Sequence, residues 1–133
     1  MNRAEMLEQY FSFLKKEGLK AEDVTIGAGG AMIMHGLREE TRDIDTDIPD
    51  DVFAEIRTRG LPEKEIRPGV FVISYNEVID LHRKEDFDET EMIDGVCVST
   101  LESILALKRM LNREKDQVDI AKIEEAIASS NKF

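Results

Sequence analysis

The feature that most constrains the fold is a run of alternating acidic and apolar residues at positions 42–48. Three aspartates stand at every second position, separated by isoleucine or threonine: Asp43, Ile44, Asp45, Thr46, Asp47 and Ile48. Because successive side chains of a strand point to opposite faces, this period of two predicts a half-buried strand with one acidic face. Aspartate is depleted in strands and like charges on one face repel. The pattern therefore predicts either a bound cation or an exposed acidic strand at a sheet edge.

Two of these carboxylates and a third acidic residue form a candidate metal site. Asp43 and Asp45 lie two residues apart on the predicted strand, so their oxygens can bind one hard cation from the same side. Asp80 is flanked by apolar residues, where an unpaired charge costs free energy. Its partner is either that cation or Arg83 or Arg67 in a salt bridge. If its strand neighbours the first, the three carboxylates can hold the Mg²⁺ or Mn²⁺ ions used for in-line phosphoryl transfer.

The rest of the chain favours an α/β (α+β) fold, a small mixed twisted sheet with helices packed on it, in one domain of residues 1–133. Apolar residues at helical spacing predict helices at residues 3–17, 31–35, 49–59, 101–111 and 115–128. Short apolar or alternating runs predict strands at residues 24–27, 42–48, 69–75, 77–82 and 96–99. A polar loop is predicted at residues 84–91, and Ser99 with Glu102 is predicted to cap the fourth helix.

Charge and cysteine content exclude several classes of function. The chain has 18 Lys and Arg against 29 Asp and Glu, a net charge of -11. This charge argues against general coating of nucleic acid and favours a basic protein partner. Cys97 is the only cysteine, which excludes an internal disulfide and a cysteine-rich zinc site. No apolar run is long enough to span a bilayer and the N-terminus lacks a signal-peptide core, so a cytoplasmic protein without a membrane partner is expected.

Glycines before the acidic strand indicate a phosphate site. Gly27, Gly29 and Gly30 lie between a predicted strand and a predicted helix. A glycine-rich turn in that position lets backbone N–H groups approach a phosphate closely. The order of residues matches neither the G-x-G-x-x-G nor the P-loop pattern, so dinucleotide-binding and P-loop folds lose support.

Residues 29–45, GGAMIMHGLREETRDID, resemble the nucleotidyltransferase superfamily, whose members have a Gly-Gly or Gly-Ser turn, a helix and then Asp-x-Asp. The His-Gly, Arg and Thr that precede Asp-x-Asp are most similar to the minimal nucleotidyltransferases and the AbiEii-like proteins of toxin–antitoxin systems. Helical Lys and Arg-x-x-Asp features further along those proteins have counterparts here: Lys108, Arg113, Asp116 and Asp119.

The resemblance implies a nucleotidyltransferase-like fold, of the DNA polymerase beta type. It implies Mg²⁺- or Mn²⁺-dependent transfer of a nucleoside monophosphate from an NTP to a hydroxyl of RNA or protein, in a toxin–antitoxin or phage-defence setting. The residues it assigns to nucleotide binding are Gly29, Gly30, Thr41 and Lys108, and those it assigns to metal binding and catalysis are Asp43, Asp45 and Asp80.

Two functional hypotheses remain open at this point. One is an active enzyme; the other is a catalytically silent module of the same fold whose acidic face binds a basic protein, such as a toxin or antitoxin, alone or as an oligomer. In the enzyme, Asp43, Asp45 and Asp80 converge beside Gly29, whereas in the binding module they splay apart. His35 is predicted to pack or to bond a turn rather than act as a base. His82 follows Asp80 by two residues on the same strand face, so it could assist proton transfer, although a lone surface histidine is the simpler prediction.

Overall fold

The computed structural model describes residues 1–85 and 88–130, which form a mixed α/β fold. This part of the chain contains five α-helices: α1 (Arg3–Glu17), α2 (Ala28–Met34), α3 (Asp50–Arg57), α4 (Leu101–Leu111) and α5 (Gln117–Ser130). It contains seven strands: β1 (Thr25–Gly27), β2 (Ile44–Ile48), β3 (Glu63–Arg67), β4 (Val70–Ser74), β5 (Ile79–Arg83), β6 (Thr90–Ile93) and β7 (Val96–Ser99). None of these helices combines the length and the apolar character that crossing a membrane requires.

The strands form one mixed sheet in the order β3-β4-β5-β2-β1-β7-β6. β2 is parallel to β5 and β1 is parallel to β7, while the other neighbours are antiparallel. β2 therefore lies in the middle of the sheet, with a strand on each side. The expectation that the acidic strand could be an exposed edge is wrong, because β3 and β6 are the edges of the described sheet.

β2 has one buried face and one acidic face. Ile44, Thr46 and Ile48 are almost fully buried, whereas Asp45 and Asp47 are partly exposed. The buried face belongs to the hydrophobic core, to which α1 contributes four side chains: Met6, Tyr10, Phe13 and Leu14. Burying apolar side chains on one face while the other stays polar is what the period of two in the sequence predicts.

Several predicted elements are confirmed and two strands were missed. α1, β7 and α4 begin and end at the predicted residues. β3 was missed because its five residues are all exposed and carry no hydrophobic period. β6 begins at Thr90, inside the loop predicted at 84–91, so that prediction is wrong at its end; residues 86 and 87 of the loop lie outside the described residues.

Two local predictions need correction. The N-cap of α4 is Thr100, whose Oγ1 accepts a hydrogen bond from the Ser103 N–H at 3.2 Å, while Ser99 is still part of β7. α2 begins at residue 28, so Gly29 and Gly30 form its first turn rather than a separate turn before it. Ala28 has a φ of 48°, a left-handed conformation that an alanine adopts only at a cost.

Candidate functional site

The register of β2 on β5 places two predicted site residues side by side. Asp45 is the partner of Asp80, and Asp47 is the partner of His82. Paired residues on neighbouring strands point to the same face of the sheet. The strand of Asp80 lies beside that of Asp45, which is the condition that the sequence set for a shared metal site, and all four side chains share the acidic face.

The carboxylates of Asp45 and Asp43 affect the pKa of Asp80. Burial raises the pKa of Asp80, and the carboxylates of Asp45 and then Asp43 raise it further. Asp43 lies immediately before β2 and is exposed. Asp80 forms no salt bridge with Arg83 or Arg67, all three being described residues, so the ion-pair alternative for this aspartate is wrong. The carboxylates of Asp45 and Asp43 act on it with like charge, and only the charge of His82 opposes them among the described residues.

The shared face does not form a closed ligand shell in the protein alone. Within residues 1–85 and 88–130, no three His, Cys, Asp or Glu side chains are close enough together to hold a metal ion. Repulsion between carboxylates of like sign opposes such a shell. The donor set fits the predicted group, because carboxylate oxygens are the ligands that Mg²⁺ and Mn²⁺ prefer. The metal assignment of Asp43, Asp45 and Asp80 therefore stays a prediction.

His82 belongs to the acidic face, although a structural surface role was predicted for it. Its Nε2 lies 3.3 Å from Asp45 Oδ1. Burial alone would lower the pKa of His82, but the hydrogen bond to Asp45 and the carboxylates of Asp45, Asp47 and Asp80 together raise it. The histidine thus contributes positive charge among the carboxylates and orients one oxygen of Asp45.

A second pair of carboxyl groups lies next to His82. Burial is the main reason that the pKa of Asp47 is raised to about 7; the charge of His82 opposes this rise, and the charge and hydrogen bond of Asp88 add to it. Asp88 in turn accepts hydrogen bonds from the hydroxyl groups of Ser99 and Ser103. The segment that precedes β6 is therefore fastened to the start of α4, beside the acidic face.

The raised pKa of Asp47 predicts how stability depends on pH. The carboxyl group of an aspartate has a pKa of about 3.9 in the unfolded chain, and that of Asp47 is about 7 in the folded protein. Asp47 therefore contributes its full stability below the unfolded pKa, and this contribution is lost as pH rises through the folded pKa. We expect the melting temperature of the metal-free protein to fall between about pH 5 and pH 8 more steeply in the wild type than in Asp47→Asn, because asparagine stays neutral.

Circular dichroism melts in EDTA at both pH values measure this difference in slope. Glu91→Gln is the matched control, since it removes one exposed carboxylate from the edge strand β6. Equal slopes for Asp47→Asn and the wild type would show that Asp47 is an ordinary, solvated carboxylate.

Arg38 and Thr41 cover the backbone of Gly29. A Cβ built on Gly29 would lie 2.4 Å from Arg38 Nη1 and 2.9 Å from Thr41 Oγ1. The same Thr41 hydroxyl donates a hydrogen bond to the carbonyl oxygen of Asp43 at 2.9 Å. Two predicted nucleotide-binding residues, Gly29 and Thr41, therefore lie next to each other. Thr41 is also hydrogen-bonded to Asp43, the residue before the acidic strand β2.

Gly30 has a packing reason for being glycine. A Cβ there would lie 2.7 Å from Ile26 Cγ2 and 3.1 Å from Met6 Sδ, both of which are in the core. The absence of a side chain lets α2 approach β1 and α1 closely. Its role in nucleotide binding stays a prediction.

The two glycines are expected to respond differently to alanine. Gly30→Ala should lower the free energy of unfolding by about 1–3 kcal/mol, because the methyl group overpacks a buried contact. Gly29→Ala should cost less, because the partly exposed end of Arg38 can shift at the expense of its hydrogen bond to Asp119, but it should weaken NTP binding. Urea unfolding and calorimetric titration with Mg²⁺-NTP measure the two quantities. Gly27→Ala is the control for stability, because its Cβ would meet only Ser99 Oγ at 3.7 Å.

Lys108 is held between two aspartates. Its Nζ lies 3.2 Å from Asp119 Oδ2 and 3.4 Å from Asp116 Oδ1, and its side chain is 11% exposed. Arg38 donates to the same Asp119 oxygen at 2.7 Å. These ion pairs join α4 and α5 to the segment after α2. The predicted contact of Lys108 with phosphate stays a prediction.

The sequence pattern did not assign Arg38, Asp47, His82 or Asp88 to the site. Asp47 had a usable signal, since it continues the alternation of the acidic strand. Asp88 had no such signal, because its position beside β2 depends on the path of the chain after β5. The structural role predicted for His35 is confirmed: its Nε2 lies 2.9 Å from the Ser99 carbonyl oxygen.

Comparisons of the chain with protein-family models, with curated proteins and with solved structures found no match. The class that fold and site define is a mixed α/β protein with carboxylates of neighbouring central strands on one sheet face.

Proposed function

We propose that the chain is a Mg²⁺-dependent nucleotidyltransferase with a DNA polymerase beta-type fold. It moves a nucleoside monophosphate from an NTP to a hydroxyl of RNA or protein. The observation that carries the proposal is the parallel register of β2 and β5, which sets Asp45 beside Asp80 in the middle of the sheet. The order of residues 29–45, which resembles that superfamily, is independent support.

The energetic cost of the acidic face supports a functional role. Carboxylates side by side on central strands repel one another, and burial makes this repulsion stronger. Asp80, with a pKa raised by burial and by Asp45 and Asp43, is held in an unfavourable environment. Groups with strongly perturbed pKa values gather at sites that bind or react. A bound cation would turn the same arrangement into a favourable one.

In the proposed reaction, different residues bind the metal ion and accept the proton. Asp45 would present oxygen ligands from β2, Asp43 from the position just before β2, and Asp80 from β5. When bound, the divalent cation neutralises charge on the phosphates and lowers the pKa of the attacking hydroxyl. Asp80 accepts the proton of that hydroxyl. The hydroxyl oxygen bonds to the α-phosphorus and pyrophosphate leaves.

The glycine end of α2 holds the triphosphate in this proposal. Gly29 has no side chain of its own, and Arg38 and Thr41 lie over its backbone, where they would contact a bound triphosphate. Thr41 is also bonded to the carbonyl of Asp43. A nucleotide contacting both residues would therefore have its α-phosphate directed toward the acidic face.

A transfer assay tests the proposed function. Each radiolabelled NTP is incubated with the protein, Mg²⁺ and either total RNA or a protein extract. We expect a labelled RNA or protein product with wild type and with the control Glu91→Gln, and none with EDTA or with Asp45→Asn. Absence of product with all NTPs and both extracts, or an equal yield from Asp45→Asn, would reject the proposed site.

A binding module is the second candidate, and one surface favours it. Apolar side chains are exposed on α4 and at the start of α5: Leu107, Met110, Leu111 and Val118. Glu89 and Glu102 line the pocket of about 270 Å³ beside them. An apolar surface with an acidic rim fits a basic protein, such as a toxin or antitoxin partner, or further copies in an oligomer. Product formation in the transfer assay would exclude a catalytically silent module.

A further inference from the structure

A chain of ion pairs runs from α5 to the candidate nucleotide site. Arg113 contacts Asp116 with Nε at 2.7 Å and Nη2 at 3.0 Å, and Asp116 and Asp119 both contact Lys108. Asp119 then accepts a hydrogen bond from Arg38 Nη2 at 2.7 Å. The network has three cations and two carboxylates, so it carries one positive charge in excess on a protein of net charge -11.

The members of this network differ in how much solvent they meet. Asp116 and Asp119 are buried, at 1% and 8% exposed, and the Lys108 side chain between them is 11% exposed. Arg38 is the member beside Gly29, and its side chain is 34% exposed. A ligand at Gly29 would therefore contact Arg38, and Lys108 would be separated from that ligand by Arg38 and Asp119.

Arg38 also has more hydrogen-bond donors available for a phosphate than Lys108 has. A guanidinium has five N–H donors in a rigid fork that matches phosphate oxygens. Among the described residues, Arg38 uses Nη2 on Asp119, and its Nη1 lies against the backbone of Gly29. Lys108 has three donors and contacts two buried carboxylates, and moving it toward a phosphate would leave Asp116 paired with Arg113 alone and Asp119 with Arg38 alone in the described part of the chain.

We propose that Arg38, rather than Lys108, binds the triphosphate of the nucleotide, and that Asp119, Lys108 and Asp116 are positioning residues that hold its guanidinium over Gly29. The inference rests on the proposed function and names a phosphate-binding residue of the same site. A fixed guanidinium loses less side-chain freedom when it binds than a free one, so the network increases affinity through preorganisation.

The charge of Asp119 allows this idea to be tested by the sign of an effect. Asp119→Ala removes a negative charge next to a site for polyanions, so simple electrostatics predicts tighter binding. If Asp119 positions Arg38, the same substitution weakens binding, because the guanidinium loses its anchor. Asp119→Asn keeps an acceptor oxygen and nearly the same size, so it should fall between Asp119→Ala and the wild type.

Inorganic tripolyphosphate is the probe, titrated calorimetrically without divalent cations, because it carries the phosphates and needs no metal site. We expect Arg38→Gln to raise the Kd at least about tenfold and Arg38→Lys to recover part of the loss. Arg67→Gln, which removes an exposed charge from the edge strand β3, should leave the Kd unchanged. Asp45→Asn should bind tripolyphosphate at least as well as the wild type, since it removes a negative charge.

The outcomes separate this inference from the proposed function. Equal Kd values for Arg38→Gln and the wild type, tighter binding by both Asp119 variants, or no binding by the wild type would overturn the role of Arg38. The transfer assay would still decide the enzyme by itself. Conversely, Arg38-dependent binding of tripolyphosphate without any transfer product would reject the proposed enzyme and leave the polyphosphate site in place.

Discussion

Asp80→Asn is expected to raise the melting temperature of the metal-free protein and at the same time to abolish nucleotidyl transfer. The first effect follows because burial and the carboxylates of Asp45 and Asp43 disfavour a charge at position 80. The second follows because the neutral amide neither holds a divalent cation well nor accepts a proton. A loss of rate of about 10²–10⁴ is expected for removing a general base.

Opposite changes in stability and activity are the signature of a residue kept for function. Differential scanning fluorimetry in EDTA and the labelled-NTP assay with Mg²⁺ measure the two effects on one preparation. Glu91→Gln, with the same change of net charge on an edge strand, should leave both nearly unaltered. A fall in melting temperature for Asp80→Asn would mean that the carboxylate has a stabilising partner in the metal-free protein.

Asp116→Ala is expected to cause the largest loss of stability among the substitutions proposed. Asp116 is 1% exposed and accepts hydrogen bonds from the backbone N–H and guanidinium of Arg113 and from Lys108. Its removal leaves Lys108 poorly compensated in a buried position. The expected cost is about 3 kcal/mol, which for a domain of this size is a drop of roughly 10 °C in melting temperature.

The control for this prediction is an ion pair of the same type on the surface. Arg109 and Glu124 lie 3.5 Å apart with both side chains more than half exposed, so Glu124→Ala should cost less than about 1 kcal/mol. Urea unfolding at neutral pH compares the two variants. Similar small losses for both would show that the buried network adds nothing to stability.

The pKa of Asp116 sets the pH range of this effect. The hydrogen bond from Arg113 is the main reason that the pKa is lowered to about 2. A carboxyl with a depressed folded pKa contributes its full stability above the unfolded value of about 3.9 and loses it as pH falls toward the folded value. The difference in melting temperature between wild type and Asp116→Asn should therefore shrink only below about pH 4.

Local patterns predicted much of the fold. The alternation at 42–48 predicted β2 and its two faces, and helical spacing predicted the bounds of α1 and α4 to the residue. β3 and β6 lacked a local signal because their side chains are mostly exposed and pair at sheet edges. Strands without a buried face are stabilised by pairing with distant segments, which no window of sequence contains.

The site residues that lie close together on one strand could be predicted from the sequence. The contacts between residues far apart in the chain were harder to predict. Asp43 and Asp45 follow from spacing on β2. Asp80 followed from an apolar context together with a resemblance. Arg38 and Asp119 are 81 residues apart, and their contact depends on how α5 docks. Long-range ion pairs of this kind come from tertiary packing. The resemblance therefore assigned Lys108 to phosphate binding, whereas its ion pairs with Asp116 and Asp119 are visible only in the structure.

The central claim is that a divalent cation binds between the carboxylates of β2 and β5. Anomalous scattering from a crystal soaked in Mn²⁺ tests this most directly, because it locates the ion without assuming its ligands. The metal assignment predicts a peak in contact with Asp45 and Asp80 and near Asp43 in the wild type, and no peak there in Asp80→Asn. No peak at these side chains at saturating Mn²⁺, or an undiminished peak in Asp80→Asn, would contradict it.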